Sequence, residues 1–331
     1  MNKNLLPITV ALTLSLSWVG CNKSGKLEKA STFTAPSGPV ELKLKWPVGE
    51  RIVQSFDMKQ NMEIFVPNQP NPIKQDMTMG QEYGLSVLKE NPDGGHEVEM
   101  EFLSARMGME MGGKTLFNYD SAKKSTAGGA NPVGDAFQKI IGGKIQYFLD
   151  ASNNVERVEG VDAFVGRMGN GGQADGTAAI KSMFNEGYFK QMIGSSRYMP
   201  QKPVQPGDTW PVQLEIAMGP IGTLVMDYTF TFQKWEQLGK RNCARLEFRG
   251  TIKSKPDENP ASKGMTMAIQ EGNSSGVSWF DPELGIIIDT TMNQDMTMAM
   301  TVPVNVHGKT ITQAMTNVMH QAITIKLESV K

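Results

Sequence analysis

The sequence has little cysteine, little histidine and almost no net charge. Only Cys21 and Cys243 occur among its 331 residues, so no framework of internal disulfides is available and the fold must depend on its core. Cys243 lies in a strand-like stretch, and we interpret it as a small buried residue. Lysine plus arginine total 33 against 34 acidic residues, with no long run of either sign. Because nucleic-acid binding normally requires a basic face, we expect no nucleic-acid partner.

Recognisable catalytic and metal-binding motifs are also lacking. His96, His307 and His320 have none of the short spacings of a zinc site. Residues 272–276 (GNSSG) match G-x-S-x-G, but a nucleophile at Ser274 would need a helix after it, and an extended stretch follows instead. We interpret this segment as a loop between strands. The sequence therefore predicts no catalytic residue, no metal site and no cofactor, and we expect that the protein is not an enzyme.

Long apolar runs are absent except near the N-terminus. Residues 5–16 are apolar, follow a positively charged start and precede a small residue directly before Cys21. A helix needs about 20 apolar residues to span a bilayer, so this run is typical of a signal peptide. The segment resembles a bacterial lipobox, although Trp18 stands where leucine is usual. We predict a lipoprotein signal peptide over residues 1–21 with Cys21 lipidated; an ordinary secretory signal or an uncleaved anchor is the alternative.

The segment after Cys21 is polar and aperiodic. Residues 22–39 are rich in Lys, Ser, Thr, Gly and Pro, which predicts a flexible tether. Acyl chains contribute about 0.8 kcal/mol per buried methylene and would hold the folded part close to a membrane. The residue directly after Cys21 is Asn22. In the enteric sorting rule, used here as an analogy, an aspartate at this position retains lipoproteins at the inner membrane. We therefore expect a lipid-anchored protein of the cell envelope, on the periplasmic face of the outer membrane.

Alternation of polar and apolar residues dominates the remaining chain. Leu42, Leu44 and Trp46 alternate with charged residues, and residues 91–95 (NPDGG) and 281–285 (DPELG) are strong turn signals. One buried and one solvated face is typical of antiparallel sheet. Helical spacing is confined to residues 132–142, 161–168 and 178–193.

The two halves of the chain resemble each other. Residues 46–48 (WPV) recur as 210–212, and residues 76–79 (DMTM) recur as 295–298. We predict a mainly β (α+β) fold of two related antiparallel sheets in tandem, with a few helices between the halves. One curved, half-barrel-like sheet is the alternative. The predicted division is a first β-rich half with helices over residues 40–200 and a second β-rich half over residues 201–331.

A segment between the halves resembles a known family. Residues 203–210 (PVQPGDTW) have the P-V-x-x-G-D-x-W pattern of DUF6263, a family of uncharacterised bacterial exported proteins. Residues 49–51 before a Met- and Gln-rich strand are also similar, as are residues 148–150 leading into residues 158–161. The resemblance implies an exported β-rich protein. It carries over no catalytic residue, since the family has no assigned activity.

Methionine is the residue in clear excess, with 23 copies. Many recur at period two, which places their thioethers on one face of a strand. Sheet core is one interpretation, because methionine fills irregular gaps; a groove for an apolar or lipidic ligand is the second; binding of Cu(I) or Ag(I) is the third. The candidate ligand-binding residues are Met77, Met79, Met107, Met109, Met111, Met296, Met298 and Met300.

Together these patterns predict a membrane-anchored envelope lipoprotein that acts as a non-catalytic binding or structural module. Its expected partners are the membrane, through the lipid on Cys21, and an apolar ligand or another envelope protein. A soft-metal protein that uses Met-x-Met strands is one alternative. An enzyme whose site is built from distant residues is the other.

Overall fold

A computed structural model describes residues 35–123, 132–169, 184–193, 195–217, 223–255, 266–306 and 309–331. Most of these residues belong to antiparallel strands, as the alternating sequence predicts. The strands are β1 (Arg51–Phe65), β2 (Ile73–Glu90), β3 (His96–Met111), β4 (Lys114–Asp120), β5 (Lys144–Leu149), β6 (Val155–Glu159), β7 (Thr209–Ala217), β8 (Thr223–Leu238), β9 (Arg241–Lys255), β10 (Thr266–Asp281), β11 (Ile286–Val306) and β12 (Lys309–Val330).

The strands form one open sheet with the order β6-β5-β3-β2-β1-β12-β11-β10-β9-β8-β7, and β4 pairs with β3 beside β5. The mainly antiparallel β class is therefore confirmed. The strands of both predicted halves lie in a single sheet because β1 pairs with β12 along its length. Arg51 and Lys331 complete this pairing by exchanging two backbone hydrogen bonds. The C-terminal strand thus joins the two halves.

Tight turns connect several neighbouring strands where the sequence predicts them. Between β2 and β3, the Asn91 amide donates to the Gly95 carbonyl, and Gly94 has a positive φ of 84°. Between β10 and β11, the Asp281 carboxylate accepts from the backbone of Glu283 and Leu284. The expectation of a loop over residues 272–276 is wrong, since all five pair with β11 and residues 273–276 also pair with β9.

Among the described residues, the helices are short and lie in one stretch of the chain. Helix α1 spans Pro132–Ile140, α2 spans Val161–Arg167 and α3 spans Glu186–Met192, followed by a 3-10 turn at Ser195–Tyr198. The first two confirm their predictions. Of the third predicted helix, residues 178–183 lie outside the described residues. No helix among the described residues combines the length and apolar character needed to cross a membrane.

The extended segment before β1 was expected to be a strand. The alternation predicts correctly which side chains are buried, namely Leu42, Leu44 and Trp46. The segment does not form a strand, however, and has only an isolated bridge between Val40 and Val204. Its other backbone contacts are scattered, such as the Lys45 amide donating to the Gly285 carbonyl. This covering segment, residues 40–46, therefore packs on a core without joining the sheet.

In the part of the chain that the structure describes, two clusters of buried side chains form the core. The first, the helix-covered core, packs β2, β3 and β5 against the helices; Phe102, Phe164 and Phe189 are its central aromatics, with ring centroids of Phe102 and Phe164 4.9 Å apart. The second packs β7–β11 against the covering segment, and its aromatic rings include those of Phe230 and Phe248. Apolar burial of this kind is the main contribution to the stability of a domain.

Candidate ligand-binding cavity

One face of the sheet carries side chains that follow each other from strand to strand. Directly opposed residues of antiparallel neighbours lie on the same face, so the strand register defines rows that cross the sheet. One row is apolar from β3 to β7, apart from one glycine. It consists of Met107, Met79, Met58, Ile323, Met292, Gly276, Phe248, Phe230 and Trp210.

The next row contains polar side chains among the methionines. Gln60, Gln321, Gln294 and Ser274 follow each other on β1, β12, β11 and β10. The Gln321 amide donates to the Sδ of a methionine in the first row at 2.7 Å and to the Gln60 Oε1 at 3.3 Å. The Tyr228 hydroxyl donates to the Ser274 hydroxyl at 3.2 Å. Since an unpaired buried amide is costly, these contacts allow polar groups to remain on a largely apolar face.

A third row brings thioethers together on neighbouring strands. Met62 on β1 lies opposite Met319 on β12, which lies opposite Met296 on β11. Together with the first row, these residues form a methionine-rich face centred on β1, β2, β11 and β12. Methionine is unbranched and has several rotatable bonds, so such a face can adapt to differently shaped contacts.

A cavity of about 520 Å³ lies on this face of the sheet. Leu44 and Trp46 of the covering segment contribute to its wall, as do Tyr188 and Met192 of α3 and Arg197 of the 3-10 turn. The sheet contributes mainly isoleucine, methionine and aromatic side chains, among them Phe56, Met79, Met226, Phe248, Met292 and Ile323. Small-molecule sites have volumes of about 300–1,000 Å³ and a mostly apolar lining, so both size and chemistry fit an apolar ligand.

One glycine of the first row is required by close packing. A Cβ on residue 276 would lie 2.3 Å from the Thr291 carbonyl oxygen and 2.4 Å from the Cζ of Phe248. The ring of Phe248, which lines the cavity, therefore reaches over the backbone of Gly276. A side chain at this position would displace the ring, so the glycine helps to define the cavity wall.

The tyrosines around the cavity remain neutral. Burial raises the pKa of Tyr188 and of Tyr198 to about 12, and burial also raises the pKa of Tyr228, against the smaller effects of hydrogen bonds with Ser274 and Gln294. Desolvation favours the uncharged phenol. These side chains therefore offer the cavity apolar rings and hydroxyl groups, with no negative charge at neutral pH.

The methionines identified in the sequence occupy two positions relative to the cavity. Met79 and Met296 line it. Met298 is buried next to it on β11 in the second core cluster. The remaining candidates are half-buried on the same face and are not among the lining residues: Met77, Met107, Met109, Met111 and Met300. Cys21, the predicted lipidation site, lies outside the described residues.

Several lining residues have no motif that reveals them in the sequence. Arg197 and Tyr198 lie in a short turn without periodicity. The available signals are the alternation of Leu44 and Trp46 and the helical spacing over residues 178–193, and both indicate burial without indicating a cavity. Tertiary packing alone brings these segments to the sheet.

The other polar residues considered as candidates from the sequence are the three histidines and Cys243. His96 begins β3, and exposed His320 contacts Asp295; His307 lies outside the described residues. Cys243 is buried, as predicted, and burial raises its pKa to about 12. Within the described ranges, no group of three or more His, Cys, Asp or Glu side chains is arranged to hold a metal ion.

Comparison with known proteins identifies a family. A model described as "Family of unknown function (DUF6263)" matches residues 93–287, a range that includes the PVQPGDTW segment. No curated protein matches the sequence.

The solved structures that match the chain are distant in sequence. Lipovitellin, described for its lipid–protein interactions, is 10% identical with a TM-score of 0.42; the alignment covers 87% of this chain, which spans only 26% of the lipovitellin chain. An exported protein with a YmcC-like fold from Bacteroides fragilis is 12% identical with a TM-score of 0.27, covering 88% and 100% of the two chains. A domain of an outer membrane lipoprotein-sorting protein from Vibrio parahaemolyticus is 11% identical with a TM-score of 0.15, covering 88% and 87%.

Proposed function

The chain belongs to the DUF6263 family, whose function is unknown, and we propose that it is a non-catalytic envelope lipoprotein that binds an apolar or lipidic ligand in the cavity on its sheet. The observation that carries this proposal is the cavity itself. It has about 520 Å³ of space and a wall of aliphatic, thioether and aromatic side chains. Transfer of apolar ligand surface from water into such a site is favourable by about 25 cal/mol per Å².

The composition of the wall supports a flexible ligand over a rigid one. Met79, Met192, Met226, Met292 and Met296 all line the cavity. Flexible thioether side chains occur at binding surfaces that accept varied shapes. An acyl chain, which has many conformers, matches such a wall.

Photo-crosslinking in cells tests this proposal with the full chain. Cells that express the protein are fed a palmitate analogue carrying a diazirine and an alkyne, irradiated, and the labelled peptides are mapped by mass spectrometry. We expect label on peptides from β1, β8 and β11, which line the cavity. Label confined to the peptide that contains Cys21 would report acylation alone and would reject the cavity as a lipid site.

A pair of variants provides a matched control. Met292→Trp adds bulk at a lining position, whereas Met109→Trp adds the same group on the same face away from the lining. We expect the first variant to reduce crosslinking at the cavity at least about fivefold and the second to leave it unchanged, because only the first fills the space. Equal effects of the two variants would contradict the proposal.

The envelope location and the lipid anchor are a second part of the proposal. They are supported by the apolar run over residues 5–16 and by the small residue before Cys21. Incorporation of radiolabelled palmitate into the wild type, and its loss in Cys21→Ala, is the expected result. Equal labelling of both chains would exclude Cys21 as the acylated residue.

A further inference from the structure

Among the described residues, the two charged ones that line the cavity, Glu215 and Arg197, differ in their partners. Glu215 on β7 forms an ion pair with Lys255 on β9. Arg197 is exposed, and no carboxylate of the described residues lies within ion-pair distance of it. Within the described ranges, the guanidinium of Arg197 is therefore a positive charge without a counter-ion where a mostly apolar cavity meets solvent.

Trp46, which lines the same cavity, has a second unused donor. The residue is 7% exposed, and its buried indole Nε1 has no hydrogen-bond partner in the described part of the chain. Trp210, which begins the second WPV motif, donates its indole N–H to the Tyr198 carbonyl at 2.9 Å. Buried donors are normally paired, because an unpaired one costs about 1–3 kcal/mol. The indole of Trp46 is thus an unpaired donor in a cavity wall.

A buried asparagine holds the two donors on neighbouring segments. The Asn153 side-chain amide donates to the Leu44 carbonyl at 3.1 Å, and the Asn153 carbonyl accepts from the Ser196 hydroxyl at 2.8 Å. Leu44 lies two residues before Trp46, and Ser196 directly precedes Arg197. Asn153 therefore fixes the covering segment and the 3-10 turn against each other.

We infer that the ligand of this cavity is an acyl-chain amphiphile with an anionic headgroup, a carboxylate or a phosphate. The tail lies among the methionine, isoleucine and aromatic side chains, and the headgroup accepts hydrogen bonds from the guanidinium of Arg197 and the indole of Trp46. Arginine presents a planar set of donors that matches carboxylate and phosphate oxygens. This inference rests on the proposed function and adds the class of headgroup to it.

Equilibrium binding of tritiated palmitate to the full chain in one maltoside detergent tests the headgroup. Unlabelled hexadecanol has a matching tail without a charge, and palmitoyl lysophosphatidic acid carries a phosphate in place of the carboxylate. We expect palmitate to bind at least about tenfold more tightly than hexadecanol at low salt, the scale of a hydrogen bond to a charged group. Unlabelled palmitate and lysophosphatidic acid are compared as competitors of tritiated palmitate. The one that displaces it at the lower concentration identifies the preferred headgroup, carboxylate or phosphate.

Four variants assign the effect to the two donors. We expect Arg197→Met to weaken palmitate binding about tenfold and hexadecanol binding less than about twofold, and Arg197→Lys to restore part of the difference. Trp46→Phe, which keeps the ring and removes the N–H, is expected to weaken palmitate about threefold to tenfold. Arg249→Met changes an exposed arginine on β9 outside the lining and should have no effect. Thermal unfolding of each variant verifies that it is folded.

The outcomes separate this inference from the proposed function. Equal binding of palmitate and hexadecanol, or equal effects of Arg197→Met and Arg249→Met, would reject the anionic headgroup while the apolar cavity remained a lipid site. Absence of binding by all three lipids would overturn both.

Discussion

The helix-covered core and the methionine-rich face belong to one sheet but differ in packing. Phe102, Phe164 and Phe189 of the helix-covered core are at most 1% exposed, with their rings in mutual contact. On the methionine-rich face, Met296 and Met319 retain 8% exposure and Met79 is half-buried. Stiff rings pack against one another in the first region, whereas flexible thioethers are among the side chains that border the cavity in the second. The difference indicates that stability is concentrated under the helices and adaptability at the centre of the sheet.

The largest expected effect tests whether stability is concentrated under the helices. Phe164→Ala should lower the free energy of unfolding by about 3–5 kcal/mol, because a fully buried ring leaves a cavity that its neighbours cannot fill. Met292→Ala, at a half-buried position that already borders empty space, should cost less than half as much. Urea unfolding of both variants gives the two values. Equal losses would show that the two regions contribute alike.

Close packing at one point of the methionine-rich face gives the second prediction. Gly276→Ala should destabilise the protein by about 1–3 kcal/mol, because the new Cβ would meet the ring of Phe248. Gly166→Ala on α2 has open space around the added methyl group and serves as the control. We expect that control to be neutral or stabilising, since alanine favours a helix. Thermal unfolding compares the variants, and a neutral Gly276→Ala would mean that the ring moves freely.

Alkaline pH gives a third comparison. Burial raises the pKa of Tyr188 to about 12, above the ordinary tyrosine value of 10. The folded state thus favours the protonated phenol. The stability that Tyr188 contributes is therefore fully present below pH 10 and is lost as the pH rises from 10 toward 12. A shift of this size corresponds to about 3 kcal/mol.

Unfolding measured in urea at pH 8, 10 and 11 checks this expectation. Tyr188→Phe should make the loss of stability with rising pH smaller without abolishing it. Tyr198 and Cys243 each have a pKa raised to about 12, so their ionisation also destabilises the folded state. A decline that is unchanged by this substitution would remove Tyr188 from the account.

The smallest effect is expected from exchanging thioethers for hydrocarbon. Replacing Met296, Met298 and Met300 together by leucine conserves volume, so each exchange should cost less than about 1.5 kcal/mol and leave palmitate binding within about threefold. Titration of wild type and variant with Cu(I) under a competing chelator tests the soft-metal alternative. A Cu(I) affinity that falls in the variant would favour that alternative, since leucine cannot coordinate the ion.

The sequence by itself determined most of the strands and turns and the faces of the strands, although residues 40–46 form no strand and residues 272–276 belong to β10 instead of a loop. Period two assigned the methionines of each strand to one side, and turn residues placed the β2–β3 and β10–β11 connections correctly. These features depend on contacts between residues close in sequence. The DMTM repeat also has a structural counterpart, because Asp76, Asn61, His320 and Asp295 form one row across β2, β1, β12 and β11.

Only the tertiary structure decided how the strands combine and where a cavity forms. The pairing of β1 with β12 joins residues more than 250 positions apart in the chain, and alternation carries no information about which strand is the neighbour. Local patterns also do not show that Trp46 and Arg197 line the cavity. Trp46 belongs to a segment that forms no strand ladder, and Arg197 belongs to a single 3-10 turn. Local patterns specify which side of each element is buried; the cavity depends on long-range packing that no local pattern encodes.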